Sequence, residues 1–280
     1  MKINKLAVTA GAVVVAASIS QLSAQTTLID DSFTSFNTST WTGTSSGGAS
    51  NPARVWNGSR YVVRTQVTSP NPSQYSFFTS NQTDINPFDS ALEVSVSFDM
   101  ISNPPLNDAE SQFFAIIGEA DTDSLGNYYP STSNFDMGTG ALVLSISQRT
   151  SDFLLKLVDY GGGNGSTIGE YEISAMPSNL TWGLDGTGGN KNWTIALSGA
   201  TFTDTGLSDK GGSFSNYSEG TVSRLSLGAM NGAGGLGDWT SGTNIYFEGL
   251  NVTAAIPEPN AALAVGLLAA AGVAMRRRKN

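Results

Sequence analysis

The chain has 280 residues, 0 Cys, 0 His and 13% charged residues, with 23 Asp+Glu against 14 Lys+Arg. These counts exclude a disulfide framework, thiolate or imidazole catalysis, and zinc or iron–sulfur sites built on Cys and His. Excess acid also excludes a phosphate-binding footprint, so nucleic acid is not a partner.

In chain order, Lys2 and Lys5 lead into an apolar run from Leu6 to Ile19, followed by Leu22-Ser23-Ala24 before Gln25. A basic start, a short apolar stretch and a small residue before the cut predict a secretory signal peptide over residues 1–24, removed by signal peptidase.

Residues 25–255 contain no predicted helix. Period-2 alternation predicts strands instead, at Tyr61–Val67, Tyr75–Thr79, Leu92–Met100, Leu142–Gln148, Phe153–Tyr160, Trp193–Ser198 and Arg224–Met230. Phe113–Gly118 is continuously apolar, as in a strand covered on both faces. Ile245–Val252 alternates but changes phase at Gly249, which predicts a bulge there. Turn chemistry separates these runs, at Asn51-Pro52, Pro70-Asn71-Pro72, Asn103-Pro104-Pro105, Gly161–Gly165, Gly188-Gly189-Asn190 and Gly211-Gly212. About a dozen strands with such loops predict one all-β sandwich domain over residues 25–255.

The body opens with Asp30-Asp31-Ser32-Phe33 and Thr38-Ser39-Thr40-Trp41, and closes with Ile245–Val252. Both ends resemble concanavalin-like jelly rolls, the group of laminin-G-like modules, legume-type lectins and some glycoside hydrolases. The resemblance implies a jelly-roll sandwich whose last strand returns beside the first.

Three kinds of site are candidates. Glu119-Ala120-Asp121-Thr122-Asp123 would set three carboxylates on one face of a strand. The spacing is similar to the Glu-x-Asp-x-Glu strand of family-16 glycoside hydrolases, in which two carboxyls about 5 Å apart act as nucleophile and acid/base. Here Asp123 stands where that family has Glu, so its oxygen falls short. The same Asp121 and Asp123, ahead of Gly126, are also candidate calcium ligands, as are Asp30 and Asp31 with Glu248. Finally, Trp41, Trp56, Trp182, Trp193, Trp239, Tyr128 and Tyr129 are candidates for stacking on sugar. Trp193 alternates with apolar residues and is expected in the core, which leaves Tyr128, Tyr129 and Trp239 as the exposed set. Eight Asn-x-Ser/Thr triplets are little more than this composition produces by chance.

The end of the chain, residues 256–280, has three parts. Pro257-Glu258-Pro259 precedes an uncharged apolar stretch to Met275, and Arg276, Arg277, Arg278 and Lys279 follow. The apolar part would rise about 24 Å as a helix, a short transmembrane span, with the cations stopping it on the cytoplasmic side. This order resembles the PEP-CTERM sorting signal of Gram-negative bacteria. The resemblance implies export, transient inner-membrane anchoring, processing by an exosortase near Pro257–Pro259, and release to the cell surface. Without both ends, residues 25–255 hold 8 Lys+Arg and 22 Asp+Glu, so their formal charge is 8 − 22 = −14.

The expected protein is therefore an exported, non-catalytic structural or adhesive component, and the resemblance to PEP-CTERM proteins implies that it associates with exopolysaccharide. A carbohydrate-binding module and a divergent glycoside hydrolase are the alternatives.

Overall fold

The computed structural model describes residues 25–35, 37–46, 54–56, 61–64, 74–102, 111–118, 140–148, 152–161, 165–218, 223–231 and 243–256. Its strands are β1 (Gln25–Asp31), β2 (Trp41–Ser46), β3 (Arg54–Trp56), β4 (Tyr61–Arg64), β5 (Gln74–Ser80), β6 (Leu92–Ser102), β7 (Ser111–Gly118) and β8 (Ala141–Gln148). They continue with β9 (Phe153–Tyr160), β10 (Gly165–Ile173), β11 (Asn179–Asp185), β12 (Asn192–Ser198), β13 (Asp209–Ser213), β14 (Arg224–Asn231) and β15 (Thr243–Ala255). The helical content of the described residues is one 3-10 turn at Thr187–Gly189.

Two antiparallel sheets form the sandwich. One has the order β13-β12-β11-β6-β15-β4-β3, with β1 also paired to β15, and the other has the order β10-β9-β8-β7-β14-β5-β2. The pairing of the first strand with the last runs from Gln25↔Ala255 to Asp31↔Leu250, as the jelly-roll resemblance implies.

Alternation explains the layering. In β6, Leu92, Val94, Val96 and Phe98 face the other sheet and are buried, while Glu93 and Asp99 are exposed. Phe98 stacks on Phe113 of β7 with ring centroids 4.3 Å apart, which joins the two sheets at the centre. Near one edge, Phe78 presents its face or edge to Trp41, Tyr61 and Phe247 at 4.8, 5.0 and 5.1 Å. β7 is buried on both sides, as its unbroken apolar run predicts. Phe113, Ala115 and Ile117 belong to the inter-sheet core, whereas Phe114 and Ile116 join Phe77, Ala141, Val143 and Tyr160 on the outer face.

The bulge predicted at Gly249 is present. Phe247 pairs with Phe98 and Gly249 with Ser97, so Glu248 is the extra residue. The Gly188-Gly189 turn is present too, with φ values of 60° and 84° that favour glycine.

One expectation is overturned. Gly211-Gly212 is not a turn but the middle of edge strand β13, paired with Thr194 and Trp193. The reason is packing. A β-carbon on Gly212 would lie 2.6 Å from the Trp193 ring, so the strand covers that indole only where it lacks a side chain. β11 was legible as alternating Leu180, Trp182 and Leu184, yet it lies outside the predicted strands.

Candidate functional site

Glu119, Asp121, Asp123, Tyr128, Tyr129 and Trp239 lie outside the described residues, as do Pro257–Pro259 and Arg276–Lys279. The strands that bracket them are described. Residues 119–139 connect Gly118 to Gly140, beside the Gly118↔Ala141 pair at one end of β7 and β8. Residues 232–242 connect Asn231 to Thr243 at the other end, where Asn231 pairs with Ser111. Seven steps of strand separate these ends, about 23 Å. Gly118 and Asn231, the last described residues before these two connections, thus lie at opposite ends of the β7–β14 pair.

Asp30, Asp31 and Glu248 are described. Asp31 is already committed: Phe33 N donates to its Oδ1 and Trp41 Nε1 to its Oδ2, each at 2.7 Å. These bonds hold Phe33 at φ 51°, a left-handed conformation that a bulky residue rarely adopts. Asp30 sits opposite Asn251, and Glu248 occupies the bulge. Among the described residues, no group of three or more Asp or Glu is placed to hold a metal ion.

Of the stacking candidates, Trp41, Trp182 and Trp193 are 1%, 0% and 2% exposed, so none presents a ring to solvent. The side chain of Trp56 is outside the described set.

No protein-family model matches the chain, and no curated protein matches it. Solved structures do resemble it in backbone. The CBM2 module of the evolved Dit protein of Lactobacillus casei phage J-1 is 9% identical, with a TM-score of 0.49, over 83% of this chain and 97% of that one. An endo-1,3-beta-glucanase from Streptomyces sioyaensis is 14% identical, with a TM-score of 0.47, over 83% of this chain and 97% of that one. Winged bean acidic lectin, in complex with methyl-alpha-D-galactose, is 12% identical, with a TM-score of 0.47, over 84% of this chain and 100% of that one. The likeness is one of backbone alone.

The outer faces of the two sheets differ in chemistry. On the eight-stranded sheet, one row across the strands reads Asp30, Asn251, Ser95, Thr181, Ala196, Asp209. The next reads Thr27, Thr253, Glu93, Gly183, Thr194, Gly211. Asn179 Nδ2 donates to Ser97 Oγ at 2.9 Å and to Ser95 Oγ at 3.3 Å, and Thr181 Oγ1 lies 3.3 Å from Ser95 Oγ. Hydroxyls, amides and carboxylates thus tile these two rows, while a third row of the same face carries the half-buried Tyr246, paired with Asp99 and Val62.

The outer face of the seven-stranded sheet is mixed. Phe77 and Phe114 lie 6.2 Å apart there, and a buried hydroxyl pair, Thr79 and Ser226, sits beside them at 2.8 Å. Sequence reasoning missed these residues because isolated Thr, Ser and Phe in separate strands carry no common motif.

Proposed function

We propose that the protein is an exported, non-catalytic structural component of the cell surface or matrix, associated with extracellular polysaccharide. The observation that carries this reading is the outer face of the eight-stranded sheet. It offers hydrogen-bonding groups in register across several strands, while Trp41, Trp182 and Trp193 are packed inside. Such a face suits broad, weak contact with hydrated polymer; among its described residues, Tyr246 supplies a single half-buried ring and not the cluster of exposed rings that grips one sugar. The acidic composition, a formal −9 for the whole chain, keeps such a protein soluble.

The sorting half of the proposal rests on the sequence alone. The body is exported by its signal peptide, anchored briefly in the inner membrane by residues 260–275, and cut by an exosortase near Pro257-Glu258-Pro259. Replacing Pro257, Glu258 and Pro259 by alanine tests it by cell fractionation. Accumulation of the uncut chain in the membrane fraction is expected, and unchanged release into the medium refutes the sorting role.

A second reading is a carbohydrate-binding module, with Tyr128, Tyr129 and Trp239 as its stacking residues. A glycan array separates the two. Selective retention of one glycan at micromolar concentration favours the binding module, and uniform weak retention favours the structural component. Release of reducing sugar from β-glucans would overturn the non-catalytic assignment.

A further inference from the structure

Sheet edges are where a β protein must either find a partner or be guarded against one. β10, at the edge of the seven-stranded sheet, is guarded. Its register shifts between Thr167 and Gly169, and it carries Glu170 and Glu172. β1 is guarded by a side chain, since Gln82 Nε2 donates to Leu28 O at 2.9 Å.

Among the described residues, β13 is not guarded in either way. Its pairing with β12 uses the even positions: Leu197 N donates to Ser208 O at 2.8 Å, and Phe214 N to Lys191 O at 2.9 Å. Antiparallel alternation then turns the N–H and C=O groups of Asp209, Gly211 and Ser213 away from the sheet. Those residues are exposed. The lysine that commonly protects an edge is spent inside. Lys210 lies over the Tyr171 ring at 4.4 Å and the Phe202 ring at 5.4 Å, bonded to Asp204. Its side chain is only 13% exposed.

We propose that this edge pairs with β13 of a second copy of the chain, antiparallel, about a two-fold axis at Gly211. The register is self-complementary. Asp209 meets Ser213 of the second copy, Gly211 meets Gly211, and each outward pair exchanges both of its main-chain bonds. No like charges face each other, because Asp209 lies across from a hydroxyl. Gly211 and Gly212 bring no side chain to the junction, so two backbones approach without obstruction. The two eight-stranded sheets then run on as one, and the polar outer faces join into a surface twice as wide. A five-residue edge is small for an interface, so the association is weak and forms where the protein is concentrated.

The test is sedimentation of the full chain in a non-ionic detergent over a concentration series, on wild type, Ser213→Lys, Ser213→Asp and the double variant Asp209→Lys/Ser213→Asp. All substituted side chains are exposed, so folding is not at issue. Ser213→Lys sets opposite charges across the axis twice and tightens the dimer by about two- to thirty-fold, Ser213→Asp weakens it by a similar factor, and the double variant restores it. Detergent-mediated association through the apolar ends would respond to none of these changes. Dimerisation that is indifferent to all three variants, or a wild type and Ser213→Lys that stay monomeric throughout, overturns the proposal.

Discussion

Asp159 and Lys191 hold the same short segment from opposite sides. The Asp159 carboxylate, at the end of β9, accepts the N–H groups of Ser215, Asn216 and Tyr217, each at 2.7 Å. The Lys191 ammonium donates to the carbonyls of Ser215 and Tyr217 at 3.0 and 2.9 Å, and lies 5.8 Å from the Phe88 ring centre. The anion serves the donors and the cation serves the acceptors, so the two side chains together fix the chain leaving β13.

Asp159 is fully buried, and its charge-assisted bonds are the strong kind. Asp159→Asn keeps the shape but turns an amide N–H toward backbone N–H groups. It is expected to cost about 2–4 kcal/mol in urea unfolding followed by tryptophan fluorescence. Lys191→Met, at a half-buried site, should cost less, about 1–2 kcal/mol. Equal and negligible losses would show that the segment holds itself.

The Asp31 corner gives a second prediction. In Asp31→Asn the amide nitrogen can no longer accept, so either Phe33 N or the buried indole of Trp41 is orphaned. The expected loss is about 1–3 kcal/mol. Calcium should not restore it, because the wild-type carboxylate is already occupied by protein donors. A calcium-dependent rise in the wild-type melting temperature that Asp31→Asn abolishes would return Asp31 to the candidate metal ligands.

Gly212→Ala tests the packing that places β13. Its methyl group would meet the Trp193 ring at 2.6 Å, against a side chain held in the core. Overpacking of this kind costs about 1–3 kcal/mol. Alanine at Gly188 meets nothing within 4 Å, although its φ of 60° strains the turn. A Gly212→Ala protein as stable as wild type would mean that Trp193 has room to move.

Asp204 gives a pH prediction. The Lys210 ammonium hydrogen-bonded to it holds its carboxyl below the ordinary value of 3.8. A folded-state pKa that is depressed contributes stability above the unfolded value, and that contribution is lost as pH falls through the folded one. The melting temperature of wild type minus that of Asp204→Asn should therefore be positive at neutral pH and shrink below about pH 4. Because Asp204 is exposed, the difference should also shrink in high salt. A difference that grows on acidification would contradict the assignment.

Local pattern determined much of this protein. Alternation in Leu92–Met100 decides which residues of β6 face inward, since a pleated strand turns successive side chains to opposite sides. The phase change at Gly249 locates the bulge for the same reason, and the unbroken run at Phe113–Gly118 announces burial on both faces. The tertiary structure decided what local pattern does not encode. Gly211-Gly212 favours a turn on its own, but the Trp193 ring and the hydrogen bonds of β12 make it a strand. Trp41 and Trp182 have the chemistry to stack on sugar, but burial between the sheets removes them from any surface. Asp31 reads as a candidate calcium ligand in the sequence and Asp159 carries no motif there, and only the folded chain brings Trp41 Nε1 to the first and the N–H groups of Ser215, Asn216 and Tyr217 to the second. A side chain's type sets what it can bind, while the fold sets which partner reaches it first.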